Sequence, residues 1–323
     1  MFGIREYYNK VTFTAKVIPG ILIFVVSILS DCPVYAQQDP DYTQYMFNQQ
    51  AVNPAYVGTW ESIGFMALAR KQWVGFEGSP STQTFAFQTP LQRENIGLGL
   101  TVVNDQIGFE KKISIAGDYS YRLKLNHDIF LRLGMKAGFT NYSHDLTRYQ
   151  LDSQNTPDQM FQGEIDQKFM PNVGVGAFLH SKKFYIGLSA PKLIKNEFKD
   201  NENYSTYAEM RHFFLTGAYV FNLGESVKFK PTFLAKATLG SPLQVDLSAN
   251  FLLKEKFWLG AMYRTGDAFG FIAQWVFDKK LRIGYAIDFT TTNLRNYHSG
   301  VHEIMVSYEL TFLKTKIPSP RYF

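Results

Sequence analysis

HEIMVSYELTF, residues 302–312, is the most regular two-residue alternation in this sequence. On an extended chain His302, Ile304, Val306, Tyr308, Leu310 and Phe312 share one face, and Glu303, Met305, Ser307, Glu309 and Thr311 share the other. A strand with one apolar face and one acidic, hydroxylated face can border hydrocarbon on one side and water on the other. Two architectures present that pattern: the closing strand of an outer-membrane barrel, and a half-exposed strand of a soluble antiparallel sheet. The segment alone leaves both open.

Working outward, the chain from Ile63 onward is a series of short alternating runs broken by turn residues, with no sustained helical period. Strands are predicted near 63–72, 82–89, 95–103, 112–122, 128–140, 170–180, 183–190, 209–222, 226–237, 243–253, 256–264, 268–277, 280–289 and 300–312, an even set of about fourteen. Tight turns at 90–95, 124–128, 181–183, 223–225, 254–255 and 278–279 alternate with longer links at 74–81, 104–111, 141–169, 191–208, 238–242, 265–267 and 290–299. Short periplasmic turns and longer outer loops are what a barrel shows, and this reading puts both termini in the periplasm.

Charge placement separates the two architectures. Arg122, Arg132, Lys136, Lys228, Lys230, Lys236, Arg264 and Arg282 fall opposite the apolar face, together with Asp118, Asp246, Asp288, Glu303 and Glu309. Eight cations facing lipid at roughly 2 to 4 kcal/mol each would cost about 16 to 32 kcal/mol, above the roughly 5 to 15 kcal/mol of net stability that folded proteins retain. These side chains therefore line a lumen, either as a salt-bridged filling or as the wall of an aqueous channel.

Composition agrees. Aromatics are 16% of the 323 residues, with 29 Phe and 19 Tyr, which suits interfacial girdles. The apolar run 17–29 lies behind Arg5, Lys10 and Lys16 and ahead of Val34-Tyr35-Ala36, the layout of a secretory signal peptide cleaved after Ala36. Cys32, the sole cysteine, is lost with it, which leaves no disulfide framework, thiol nucleophile or cysteine metal site. The domain reading is a signal peptide over 1–36, an N-terminal plug or docking segment over 37–61, a barrel over 62–312 and a periplasmic tail over 313–323. In the second of these, Tyr42, Tyr45 and Met46 are expected to share one face of a short helix ending near Asn53-Pro54.

No catalytic constellation stands out. The histidines occur singly, and His298 and His302 would lie about 13 Å apart on an extended chain. No G-x-S-x-G elbow is present, and IGLGL and VGVGA lack the helix of a dinucleotide site. A net charge of +5 is scattered rather than gathered, against nucleic-acid binding. Neither an enzyme nor a cofactor is expected.

QYMFN (44–48) followed by NPAYVG (53–58), RKQWVGFEGSPSTQTF (70–85), IGLGLTVVNDQIG (96–108), RHFFLTGAYVF (211–221), KPTFLAKATLGSPLQVDLSANFLL (230–253), FWLGAMYR (257–264), LRIGYAIDFTT (281–291), GVHEIMVSYEL (300–310) and SPRYF (319–323) resemble, in order, the PorP/SprF family of Bacteroidetes type IX secretion and gliding motility. Gln49 and Gln50 depart from it, standing where apolar residues are expected. The resemblance implies an outer-membrane component needed to export or anchor proteins with a C-terminal secretion domain. The partners it implies are the periplasmic ring and peptidoglycan-linked components, the translocon, and a secreted cargo or adhesin. Docking is then expected of Tyr45, Phe47, Asn48, Asn53, Pro54 and Tyr56, of Trp73 and Phe76 in the first outer loop, and of Tyr322 and Phe323 in the tail. The alternative is an outer-membrane channel or transporter for small solutes.

Overall fold

The computed structural model describes residues 39–60, 62–91, 95–145, 164–200, 204–238, 241–278 and 280–310. The expected signal peptide and the tail with Tyr322 and Phe323 lie outside them. A single antiparallel barrel takes up nearly all of the rest. Its strands are β1 (Ile63–Lys71), β2 (Ser81–Pro90), β3 (Ile96–Ile107), β4 (Glu110–Lys124), β5 (Phe130–Asp145), β6 (Glu164–His180) and β7 (Phe184–Ala190), then a small hairpin of β8 (Asn196–Asp200) and β9 (Tyr204–Glu209). After it come β10 (His212–Tyr219), β11 (Phe221–Asn222), β12 (Val227–Thr238), β13 (Gln244–Leu253), β14 (Phe257–Arg264), β15 (Ala268–Phe277), β16 (Leu281–Thr290) and β17 (Val301–Leu310). β10 and β11 flank Val220 and both pair with β12, so they fill one position, and the wall has fourteen strands.

The ring closes between first and last strands, from Ile63 opposite Leu310 to Lys71 opposite His302. Closure removes the unpaired edges that no bilayer tolerates. Along β17 the two faces separate as the alternation requires: Glu303, Met305, Ser307 and Glu309 are buried, and Ile304, Val306 and Tyr308 point outward. The same alternation in β15 turns Phe269, Phe271, Ala273 and Trp275 outward. Among the described residues no helix is long and apolar enough to cross a membrane, and the strands do so instead.

The end holding Ile63 and Leu310 is here called the near end, and the other the far end. Three expectations about connections change. The link 104–111 is mostly strand, because β3 and β4 continue to a turn of only Gly108 and Phe109. Strand also extends into 141–169, where β5 runs to Asp145 across a bulge between Thr140 and Tyr142, and β6 begins at Glu164. The link 191–208 carries the β8–β9 hairpin. Short and long connections therefore alternate less strictly than the sequence suggested.

The chain before β1 runs the length of the lumen, and nearly every described residue from Tyr42 to Trp60 is buried. The expected helix is shorter and later: hydrogen-bonded turns over 43–47 lead to α1 (Gln49–Val52) and a 3-10 turn at Pro54–Tyr56, whose first amide, Ala55 N, donates to the Asn53 side chain at 2.9 Å. Tyr42 and Tyr45 reach different parts of the wall, Tyr42 to Thr84 on β2 and Tyr45 to Thr232 and Ser248 on β12 and β13. Asp39, the first described residue, sits among Lys192, His212 and Lys236 at the far end. It therefore lies at the opposite end from Leu310, while the termini themselves lie outside the described residues.

Candidate functional site

Two sets of contacts hold residues 39–60. Toward the near end the segment seats on backbone. Gly134 lies against the 3-10 turn: a methyl group there would lie 2.6 Å from the Pro54 carbonyl carbon and nearer still to Ala55 N and Cα. Gly97 accommodates Val57 and Gly58 in the same way. The strand glycines thus form a groove for the segment. Arg132, fully buried, donates to the carbonyls of Gly58 at 2.6 Å and Val57 at 3.3 Å and to Ser120 Oγ at 3.1 Å.

The two glutamines that departed from the family pattern are polar rivets. Gln50 Nε2 lies 3.1 Å from Phe87 O and from Asp118 Oδ2, and 3.2 Å from Thr101 Oγ1. Gln49 Nε2 donates to Tyr185 Oη at 3.2 Å and to Tyr45 O at 3.1 Å. Polar side chains belong here because the surrounding wall presents hydroxyls, amides and carbonyls rather than hydrocarbon.

Toward the far end charge takes over. Glu303 accepts from the backbone N–H groups of Thr43 and Gln44 at 3.0 and 2.9 Å and pairs with Arg70 at 3.2 Å. Arg70 also pairs with Asp288 at 3.3 Å, and the Thr43 hydroxyl donates to Asp288 at 2.6 Å. Asp41 pairs with Lys236 at 2.8 Å, and Asp246 meets Arg264 through Nε at 3.1 Å and Nη2 at 2.9 Å. At the end of β9, in the link between β7 and β10, Glu209 takes Lys192 at 3.1 Å and hydrogen bonds from Thr140, Asn172 and Asn196. Burial opposes ionisation of Glu209, but the Lys192 charge and these hydrogen bonds outweigh it and hold the carboxyl below the usual glutamate range.

The lumen residues expected from alternation take several different roles. Arg132, Lys230, Lys236, Arg264, Arg282, Asp246, Asp288, Glu303 and Glu309 are buried inside the wall. Lys136 pairs with Asp118 at 3.1 Å, and Glu309 accepts from Ser62. Lys230 has an aromatic cage instead of a carboxylate, its Nζ 5.4 Å from the ring of Phe47, 5.6 Å from Trp258 and 5.8 Å from Tyr185. Lys228 sits at the near rim beside exposed Glu255, and Arg122 stacks over Phe130 near the same rim. Sequence reasoning missed Arg70, Asp39, Asp41, Lys192 and Glu209. Arg70 was within reach, since it continues the inward series Gly64, Met66, Leu68 of β1.

Tyr45, Phe47, Asn48, Asn53, Pro54 and Tyr56 do not form an exposed docking surface: all lie inside the barrel, where Phe47 packs edge-on against Trp258 and Tyr56 against Phe178. Trp73 and Phe76 lie in the far-end link, which is hydrogen-bonded to the link before β17 through Val74, Ser299 and Gly300, and Phe76 is 52% exposed. The space left inside is uneven. A vestibule of about 610 Å³ opens at the far end among Asp39, Arg70, Trp73, Asp105, Arg264 and Asp288, and a side chamber of about 120 Å³ adjoins it near Val52, Lys136 and Lys192. Deeper, around Met46, Phe47, Asn48 and Gln274, the cavities among the described residues are of about 20 and 10 Å³, each the size of a single water.

A closed fourteen-stranded wall with an apolar exterior, a charged interior and a segment along its axis defines an outer-membrane β-barrel. The model of the type IX secretion system membrane protein PorP/SprF family matches residues 34–308, and the chain belongs to that family. No curated protein is detectably similar. Among solved structures, the CymD monoaromatic hydrocarbon channel aligns with a TM-score of 0.48 at 9% identity, over 82% of this chain and 93% of that one. The Acinetobacter baumannii outer membrane protein Omp33 gives 0.45 at 8%, over 77% and 98%, and a Pseudomonas aeruginosa FadL homologue 0.44 at 11%, over 85% and 95%.

Proposed function

We propose that this barrel serves type IX secretion by docking proteins at its two rims and performs no chemistry of its own. The observation that supports the reading is the filled lumen. With residues 39–60 packed along the axis and nearly all buried against the wall, what the barrel offers a protein is its ends rather than a pore. In this reading the near end, with its tight turns, faces the periplasm and the far end faces out. Exposed Phe76 and half-buried Trp73, which lines the vestibule, are the far-end contacts for a secreted partner's C-terminal domain, since aromatics make strong anchors at low entropic cost. Tyr322 and Phe323 are the contacts for the periplasmic ring and peptidoglycan-linked components.

Deleting the gene and comparing surface and periplasmic proteomes by mass spectrometry tests the role. Proteins with C-terminal secretion domains should leave the surface and collect in the periplasm; unchanged export refutes it. Phe76→Ala should reproduce the loss for the docked partner with the barrel still folded and inserted.

A further inference from the structure

We propose that residues 39–60 are a displaceable plug, latched at the far mouth, and that its release opens a water-filled lumen through an otherwise closed barrel. Three independent features of the interior support this. The wall behind the segment is wettable: Thr84, Gln88, Thr101, Ser120, Thr216, Thr232, Ser248 and Gln274 all face inward. Such a lining bonds the polar segment while it is in place and offers the same donors and acceptors to water once the segment leaves.

The plug fits that wall incompletely. Both amide atoms of Gln44 and of Asn48, the Oε1 of Gln49 and both amide atoms of Gln274 find no hydrogen-bond partner among the described residues, though each of these residues is at least nine-tenths buried. The cavities of about 20 and 10 Å³ are bordered by Gln274, Gln49 and Asn48, and neither is bordered by Gln44. The interface between plug and wall is therefore wet or unsatisfied along its middle, and water entering the lumen recovers those hydrogen bonds. Lys230 behaves likewise: the Phe47 ring that covers it belongs to the plug, and no carboxylate among the described residues pairs with it.

The segment's contacts to wall carboxylates cluster at the far end, where Glu303 grips the two successive amides of Thr43 and Gln44, and Asp288 with Arg70 grips the Thr43 hydroxyl. Two of these groups, Arg70 and Asp288, line the open vestibule, and Glu303 is paired to Arg70 behind them. A polar or charged group entering the vestibule competes for the same carboxylates and guanidinium and loosens the latch. Because the segment continues covalently into β1 at the near rim, it then leaves through the near end, where its 22 residues remain tethered.

Full-length protein carrying Met46→Cys tests this, since Met46 borders the inner cavity and the only other cysteine is Cys32 in the expected signal peptide. The introduced thiol is reacted with a charged, membrane-impermeant maleimide in proteoliposomes, alone and combined with Glu303→Gln on the wall or Thr43→Val on the plug. Heat-modifiable gel migration verifies folding of each. In parallel, the same proteins are recorded in planar bilayers. The latch variants should label roughly tenfold faster or more, the factor given by about 1.4 kcal/mol of lost holding, and should show step conductances that the parent shows rarely. Folded latch variants that protect the thiol as well as the parent overturn the proposal. So does a reactive thiol in a barrel whose bilayer trace stays silent. If only one latch variant folds, its labelling rate decides.

Discussion

Gly134→Ala is the smallest change that interrogates the seat of the segment. A methyl group at that position would lie 2.6 Å from the Pro54 carbonyl carbon and closer to two Ala55 backbone atoms, where ordinary contact begins at 3.4 Å. The 3-10 turn must then retreat by about an ångström. Nothing flexible absorbs the shift, because every atom met is backbone and Asn53 fixes the turn from behind by accepting from Ala55 N. Moving it also strains the bonds from Arg132 to the neighbouring carbonyls of Val57 and Gly58. Overpacking of a core costs about 1–3 kcal/mol, and loosening a buried cation's hydrogen bonds adds about 1.5–3 kcal/mol more. A loss of about 3 kcal/mol or greater is therefore expected, read as the shift of the urea midpoint of tryptophan fluorescence in detergent or lipid. Gly117→Ala on the adjacent strand is the control, for its methyl group meets nothing nearer than Ala137 O at 3.9 Å. Equal midpoints for the two variants would refute the seating of the segment in this groove.

Other perturbations follow the same reasoning. Gln50→Leu leaves Asp118 without one of its donors and should cost about 1–3 kcal/mol in the same unfolding assay. Asp246→Ala strands a buried guanidinium and should cost about 3–5 kcal/mol, while Asp246→Asn combined with Arg264→Gln recovers most of that. Glu209 contributes stability above its ordinary value of 4.5 that is lost as pH falls through its lowered folded value. Backbone amides of the link between β7 and β10 should therefore exchange faster as pH drops below about 4.5, after correction for intrinsic rates. Glu209→Gln should show the faster exchange already at neutral pH and abolish that pH dependence.

Alternation reports the solvents on the two sides of a strand, and that explains what was legible. Over β15 and β17 one side is lipid and the other the packed lumen, so burial switches at every residue and the strands stand out. Over Asn104–Ile107 and Glu110–Lys111 both sides are polar surroundings at the far end, the alternation fades, and Asn, Asp and Gly suggest a loop where the ladder continues. Arg122 and Lys228 share the inward parity of Arg132 and Lys230, yet lie near the rim, because parity fixes the face and not the depth.

What fills the lumen was less legible for a related reason. A wall lined with Thr, Ser, Gln and paired charges reads the same whether it faces water or another polar chain, so an open channel and a plugged one leave the same inward pattern. The segment 39–60 has no period of its own to betray a partner, because it meets a different strand every few residues: β2 at Tyr42, β17 at Thr43, β12 and β13 at Tyr45, β5 at Ala55. Its aromatics therefore looked equally suited to a docking surface. The informative residues were those that fitted neither reading. Two consecutive glutamines where apolar residues were expected make sense only against a wall that offers them carbonyls and hydroxyls, and small residues at Gly97 and Gly134 make sense only if another backbone approaches there. Polar residues without periodicity, read together with strand glycines that no turn requires, are the sequence signature of a chain threaded through its own barrel.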